Sequence, residues 1–374
     1  MRVITYNVWG GVWWKPDIVY DKKRKTKLFT TLSQLIDDDA EVLIALQEIW
    51  TKKLAYTLKH NYRSTHHTLF TTKETSHMPL GVFLYGLSLA LLPGIVAGVL
   101  AAVQIPGWVL ALSVATVALL WWWKVRESMF GRACMGNVDG GLVVMVPRGQ
   151  HDRGWDEQLE EQRCKKTKLL TTTGINRDIA DFIRPRTLLY VNCSILNAKM
   201  PSIINIHMGL IRNNKHRTGA VNWNGQFSQL CTYIYKMRTK PDFVVGDFNV
   251  EEVKQQDTHE KSGSYNTVPL ADSSAASFDG DLLFEEGGMY SEADTTMPTW
   301  VPQKSNTVKQ NMHAAAQKTF PSYNSRIDHM FILKDNKSSW TAPTLVGNTD
   351  DIPLSDHYGL SMTSGSTSSN RFVF

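Results

Sequence analysis

The chain has 374 residues and a mass of 42.3 kDa, enough for two average domains or one large one. Hydrophobic residues at 43% and charged residues at 20% exclude global disorder. Cys134, Cys164, Cys193 and Cys231 form no CxxC pair, which argues against a disulfide framework and against a structural zinc site. The net charge of +5 fits anionic partners without requiring one. The mean hydropathy of −0.23 reads as soluble, but it averages over very unequal segments.

In chain order, Val3-Ile4-Thr5-Tyr6 predicts a strand directly after Met1-Arg2, so no signal peptide is expected at this end. Lys22-Lys-Arg-Lys-Thr-Lys27 is the densest basic run. It reads either as a contact for anionic lipid or as the solvated start of a helix. Leu28, Leu32 and Leu35 then have helical spacing over 27–35. Val42-Leu43-Ile44-Ala45-Leu46 predicts the second strand.

From Met78 to Trp123 there is no Asp, Glu, Lys, Arg or His. Two apolar runs, Leu80 to Val103 and Gly107 to Trp123, flank Gln104-Ile105-Pro106. As helices they would measure about 36 Å and about 25 Å, against a hydrocarbon core of about 30 Å. Trp121-Trp122-Trp123 followed by Lys124 and Arg126 suits a membrane interface. The expectation is therefore a membrane hairpin over 78–123 that either spans or re-enters. A buried helical hairpin of a soluble core is the alternative.

Leu142–Val146, Ile203–Ile206, Phe243–Val245 and His329–Leu333 predict further strands. Residues 251–320, rich in Ser, Thr, Asp and Gly, read as long surface loops. Asn192-Cys-Ser and Asn336-Lys-Ser match the glycosylation triplet, a pattern frequent by chance. There is no internal repeat.

Chemistry-bearing residues stand at the ends of these strands. Asn7, Glu48, His207, Asp247 and Asn249 follow strand runs, Asp328 precedes one, and Asp356-His357 lie near the C-terminus. Each alone has a plain explanation as a turn or structural residue. Together they combine hard oxygen ligands suited to Mg²⁺ with a His–Asp pair suited to moving a proton from water. Those are the parts of a metal-assisted phosphoester hydrolase.

Thr5-Tyr-Asn-Val-Trp-Gly, Leu46-Gln-Glu-Ile-Trp, Asn205-Ile-His, Gly246-Asp-Phe-Asn, Ser325-Arg-Ile-Asp-His and Ser355-Asp-His occur in that order. This series resembles the motifs of the endonuclease/exonuclease/phosphatase superfamily over residues 3 to about 360. One departure is Ile206, where the family usually has Thr. Asp139-Gly-Gly-Leu-Val-Val-Met-Val and the Asn-Val-Trp and Gln-Glu-Ile-Trp forms are closest in look to neutral sphingomyelinases. Inositol-polyphosphate phosphatases carry Trp-Cys-Asp-Arg where this chain has Tyr323-Asn-Ser-Arg.

The resemblance implies a four-layer α/β sandwich, two packed mixed sheets flanked by helices, with the hydrophobic hairpin inserted. Residues 1–77 and 124–374 would form one catalytic domain. It implies that Glu48 and Asn7 hold Mg²⁺, which Mn²⁺ can replace, with Asp247 near a metal or positioning the attacking water. His357, oriented by Asp328 or Asp356, would be the general base. Asn249 and His207 would donate to the phosphate. Asp139 would shape the site, or Gly140-Gly141 would simply permit close strand packing. The implied reaction is phospholipase C-type cleavage of sphingomyelin or a related lipid to ceramide and phosphocholine. The competing readings are a phosphoinositide phosphatase, a nuclease, and an inactive membrane scaffold.

Glu48 and Asp247 flank the insertion yet belong to one site, so the hairpin must cross an even number of times. Lys73, Lys124 and Arg126 at its feet place the catalytic domain on the cytosolic side of the membrane. The expected partners are a phospholipid bilayer and its lipid, not nucleic acid. The oligomeric state is open.

Overall fold

A computed structural model describes residues 1–8, 22–37, 41–72, 138–149, 163–170, 186–209, 217–250, 259–261, 264–266, 281–284, 288–293, 299, 326–347, 355 and 357–365. Two six-stranded mixed sheets face each other. The first has the order β13-β14-β1-β2-β4-β3, from strands Arg2–Asn7 (β1), Val42–Gln47 (β2), His66–Thr72 (β3), Val138–Pro147 (β4), Thr344–Val346 (β13) and Gly359–Thr363 (β14). The second has the order β11-β12-β8-β7-β6-β5, from Lys165–Leu170 (β5), Arg186–Val191 (β6), Ile203–His207 (β7), Phe243–Asp247 (β8), Tyr290–Glu292 (β11) and Asp328–Leu333 (β12). His259–Lys261 (β9) and Ser264–Asn266 (β10) form a separate pair.

Side chains alternate along each strand, and this alternation sorts the core into layers. Val3, Leu43, Ala45, Val144, Ile203, Phe243, Val245, Met330 and Ile332 meet between the sheets. Ile4, Tyr6, Ile44, Leu46, Val143 and Met145 point the other way. There they pack against Leu28, Leu32, Leu35 and Ile36 of helix Lys22–Asp37 (α1) and Leu54, Ala55 and Leu58 of helix Lys52–Asn61 (α2). The outer face of the second sheet packs Leu188, Ile204, Ile206 and Phe331 against Trp223, Phe227, Leu230 and Ile234 of helix Arg217–Lys236 (α3). The expected α/β sandwich is present, its two sheets covered by helices on their outer faces.

The inner layer changes character along the strands. Past the apolar stretch lie Thr5, Gln47 and Asn205, all buried. Gln47 Nε2 donates to Thr5 Oγ1 (2.9 Å) and to Asn205 Oδ1 (2.7 Å). Asn205 Nδ2 donates across to the carbonyls of Leu46 (2.9 Å) and Val143 (3.0 Å). These bonds tie the two sheets together just beneath the strand ends that bear the candidate site, although Gln47 Oε1 is buried without a partner among the described residues.

The segment 251–320 is more than loop. It supplies β11 and a short helix, Asp281–Phe284 (α4). Tyr290 and Thr299 within it are fully buried. Composition hid this because the elements are only three or four residues long. Among the described residues no helix is long and apolar enough to cross a membrane. The window 78–123 lies outside them.

Candidate active site

The site forms where β1 and β2, a parallel pair, and β7 and β8, another parallel pair, end side by side. Inward alternation carries Val3, Thr5 and then Asn7 to this end of β1, and Asn205 then His207 on β7. It carries Phe243, Val245 and then Asp247 on β8. On antiparallel β12, Asp328 is the partner of Asp247 in register. His207 is likewise in register with Asp247. Ile206, the departure from the family motif, faces the opposite side and packs in the α3 layer, away from the site.

Two residues need a special backbone. Glu48 follows inward-facing Gln47 and would face outward in a regular strand. Its φ of 64° turns the chain so that Oε1 lies 3.8 Å from His207 Nε2. Asn249 does the same after β8 with a φ of 58°. Left-handed non-glycine residues cost on the order of 1 kcal/mol or more and concentrate where function needs them. Gly246 allows β8 to approach β7, since a Cβ there would collide with the Ile206 carbonyl. Gly141, with φ +67°, lets Trp50 lie against the backbone, because a Cβ would sit 3.0 Å from the Trp50 ring. The described role of the two glycines after Asp139 is therefore close packing. The Asp139 side chain lies outside the described residues.

Asp328 Oδ2 and His357 Nδ1 are 2.7 Å apart and buried. Of the two carboxylates that could orient His357, Asp328 does so; Asp356 lies outside the described residues. The Asp328 bond holds the proton on Nδ1 and leaves Nε2 as the basic nitrogen. That Nε2 lies 3.5 Å from Asn7 Nδ2 and 4.0 Å from Asp247 Oδ2. Asn7 Nδ2 donates to Asp247 Oδ2 (2.9 Å), and Asn249 N donates to Asp247 Oδ1 (2.8 Å). His207 Nε2 is 3.5 Å from Asp247 Oδ2, and Trp50 Nε1 donates to Glu48 Oε2 (3.4 Å). Asn249 Nδ2 donates to the Met208 carbonyl (2.9 Å), which engages one of its two amide hydrogens.

Burial raises the Asp247 carboxyl to about 7, and the negative charge of Asp328 adds to the rise. His357, the Asn249 amide and Asn7 oppose it without cancelling it. Asp328 Oδ1 is buried with no hydrogen-bond partner among the described residues. Both facts mark excess negative character and fit a cation. Asp247, Asp328 and His357 each offer a ligand atom within 4.8 Å of one another. His357 Nδ1 is already engaged by Asp328, however, and hard cations prefer oxygen. Glu48, Asn7 and Asp247 could instead supply oxygen donors, with Asp247 common to both groupings.

Three supporting residues were given no role from the sequence, although Trp50 and Ser355 stand in the quoted motifs. Thr299 Oγ1 accepts from the Ile327 and Asp328 amides (3.1 and 3.0 Å), and its carbonyl accepts from Tyr358 N (2.6 Å). It thus holds both halves of the Asp328–His357 pair. Ser355 Oγ accepts from His357 N (3.2 Å), and Trp50 lies against His207 with ring centroids 5.8 Å apart. Thr299 lies in a Ser/Thr-rich stretch and carries no local signal. Trp50 stood in the quoted motif and could have been weighed for its position two residues after Glu48.

No protein-family model and no curated protein matches the chain. Solved structures do. "Beta toxin 275-280" from Staphylococcus aureus aligns with a TM-score of 0.51 at 12% identity, covering 98% of this chain and 100% of that one. Sphingomyelinase C from Streptomyces griseocarneus aligns at 0.49 and 12% identity, covering 98% and 99%. An endonuclease/exonuclease/phosphatase from Beutenbergia cavernae aligns at 0.46 and 12%, covering 97% and 70%. At such identities the likeness concerns the fold alone: the chain shares with the beta toxin a sandwich of two packed mixed sheets.

Proposed function

We propose that this chain is a Mg²⁺-dependent phosphodiesterase of phospholipase C type, acting on sphingomyelin or a closely related phospholipid at a membrane. The observation that carries the reading is the Asp328–His357 pair, whose basic nitrogen faces the Asp247 carboxylate at the strand ends. A proton acceptor beside hard-oxygen ligands is what water attack on a phosphodiester requires. The choice of a choline phospholipid is supported by the Asp139-Gly-Gly, Asn-Val-Trp and Gln-Glu-Ile-Trp motifs. The uncharged window 78–123 supports membrane anchoring.

In this reading His357 Nε2 takes a proton from the attacking water while Asp328 holds the imidazole and stabilises its charged form. Asp247 positions that water. His207 Nε2 and the second Asn249 amide hydrogen donate to the phosphate oxygens as charge builds on them. Glu48 and Asn7, with Asp247 beside them, would hold Mg²⁺. Bound there, the ion would withdraw charge from a phosphate oxygen. The water oxygen bonds to phosphorus, the bond to the ceramide oxygen breaks, and that oxygen leaves with a proton.

A substrate panel tests the proposal: release of phosphocholine, inositol phosphate or nucleotide, each with and without Mg²⁺. Phosphocholine release that stops with EDTA is expected. Glu48→Gln and His357→Asn should each lower it by at least 10³-fold, a loss typical of removing a metal ligand or a general base. Activity confined to inositol phosphates or nucleotides overturns the substrate, and an unaffected rate in either variant overturns the site.

A further inference from the structure

The end of the sandwich that carries the site is also the end from which the uncharged insertion departs. The β3–β4 ladder runs from His66↔Pro147 at one end to Thr72↔Val138 at the other. β4 lies antiparallel to β2, with Leu46 opposite Val143. Its first residues continue alongside the Glu48 turn. Ile49 N donates to Gly141 O (2.8 Å), and Val138 N donates to Trp50 O (3.2 Å). Thr72 and Val138 therefore stand level with Glu48 and Trp50, on the rim of the catalytic mouth.

All of residues 73–137 enters and leaves through this one pair. Cross-strand partners lie about 5 Å apart, so the two feet are effectively a single attachment point. Only 73–77 separate Thr72 from the start of the uncharged window at Met78. Even fully extended, that link reaches no further than about 20 Å. A strand of six residues is itself about 20 Å long. A bilayer holding 78–123 must therefore lie close to this rim. The far end, where Lys199 pairs with Glu41, is held away by the length of the sandwich.

We propose that the rim formed by the ends of β3 and β4 beside Trp50 is the face this protein sets on a lipid bilayer. The catalytic mouth then opens toward the headgroups rather than toward bulk water. This rests on the phospholipid-hydrolase reading and adds an orientation to it. The phosphodiester is reached in the plane of the membrane.

The test keeps the full chain, in vesicles of phosphatidylcholine and sphingomyelin. Rigid helical spacers of about 20 residues, roughly 30 Å each, are inserted after Thr72 and before Val138. Hydrolysis of vesicle sphingomyelin should fall at least tenfold, while hydrolysis of a water-soluble chromogenic phosphodiester stays within twofold and so reports an intact fold. Unchanged vesicle hydrolysis overturns the orientation. If the unmodified protein cleaves neither substrate, the hydrolase reading has failed instead. The orientation is then decided without catalysis. In a Cys134→Ser background, a fluorophore is carried by Thr72→Cys or by Lys199→Cys, with an acceptor on the lipid headgroups. Quenching several-fold stronger from position 72 is expected, and equal or reversed quenching overturns the proposal.

Discussion

Asp328 does two things that a spectator carboxylate would not. It fixes the tautomer of His357 through a 2.7 Å bond, and it keeps one buried oxygen without a partner among the described residues. Replacing it by Asn preserves size but presents an amide that can donate to Nδ1. The imidazole can then carry its proton on Nε2, which would remove the base of the proposed reaction. Asp328→Asn is expected to lower kcat by roughly 10³–10⁴-fold with little change in KM, as for other orienting carboxylates whose tautomer control is lost. Steady-state kinetics on the phosphodiester substrate check it. A fall confined to KM would instead make Asp328 a binding residue. The preceding structure matters here too, because Thr299 holds the Asp328 amide and, through Tyr358, the strand entry after His357. No composition rule would find that residue, since a buried threonine inside a Ser/Thr-rich stretch looks like its exposed neighbours.

At the scale of elements, legibility followed apolar content. β1, β2, β4, β7, β8 and β12 are runs of Val, Ile, Leu, Met and Phe, and each was predicted near its observed place. α1 was read over 27–35 and extends over Lys22–Asp37. β3 (His-His-Thr-Leu-Phe-Thr-Thr) and β5 (Lys-Lys-Thr-Lys-Leu-Leu) were missed. Both are edge strands, in which polar residues are tolerated and guard against unwanted pairing. Interior β6 (Arg-Thr-Leu-Leu-Tyr-Val) is the exception: it is apolar and was missed as well. β3 carries its own pH sensitivity. His66 is buried, and its Nε2 lies 2.9 Å from the Val42 carbonyl at the start of β2. Burial lowers it from 6.5 to about 4, with the Val42 bond opposing and the positive charges of His67 and Arg148 adding. At His66 the folded state therefore binds less proton than the unfolded chain between about pH 4 and 6.5. Stability present above pH 6.5 is lost as pH falls through that window, by up to roughly 3 kcal/mol. In urea unfolding, the stability of the parent relative to His66→Gln should rise with pH across this range, whatever slope Asp247 adds to both. Equal slopes would remove His66 as the cause.

For the molecule as a whole, the catalytic end and the rest of the sandwich respond to pH in opposite senses. The Asp247 carboxyl is raised to about 7 from 3.8, so the folded state holds an extra proton between those values. Its contribution to stability accordingly declines as pH rises from about 4 to 7, while that of His66 improves over most of the same range. In metal-free protein the two trends offset each other. A divalent cation held at Asp247 would change this, because it would bind the ionised carboxylate and compete with the proton. Stabilisation by Mg²⁺ should therefore be small at pH 5 and grow to a plateau above pH 7. The acid sensitivity of His66 should stand out only in the metal-loaded protein. Thermal unfolding with millimolar Mg²⁺ or with EDTA, at pH 5, 6, 7 and 8, measures both. The midpoint shift caused by Mg²⁺ should increase across the series and shrink strongly in Asp247→Asn, which has no proton to displace and no charge to offer. A shift equal at all four pH values, or retained in full by Asp247→Asn, would move the cation away from Asp247. The Glu48–Asn7 side of the site would then be left as its main support.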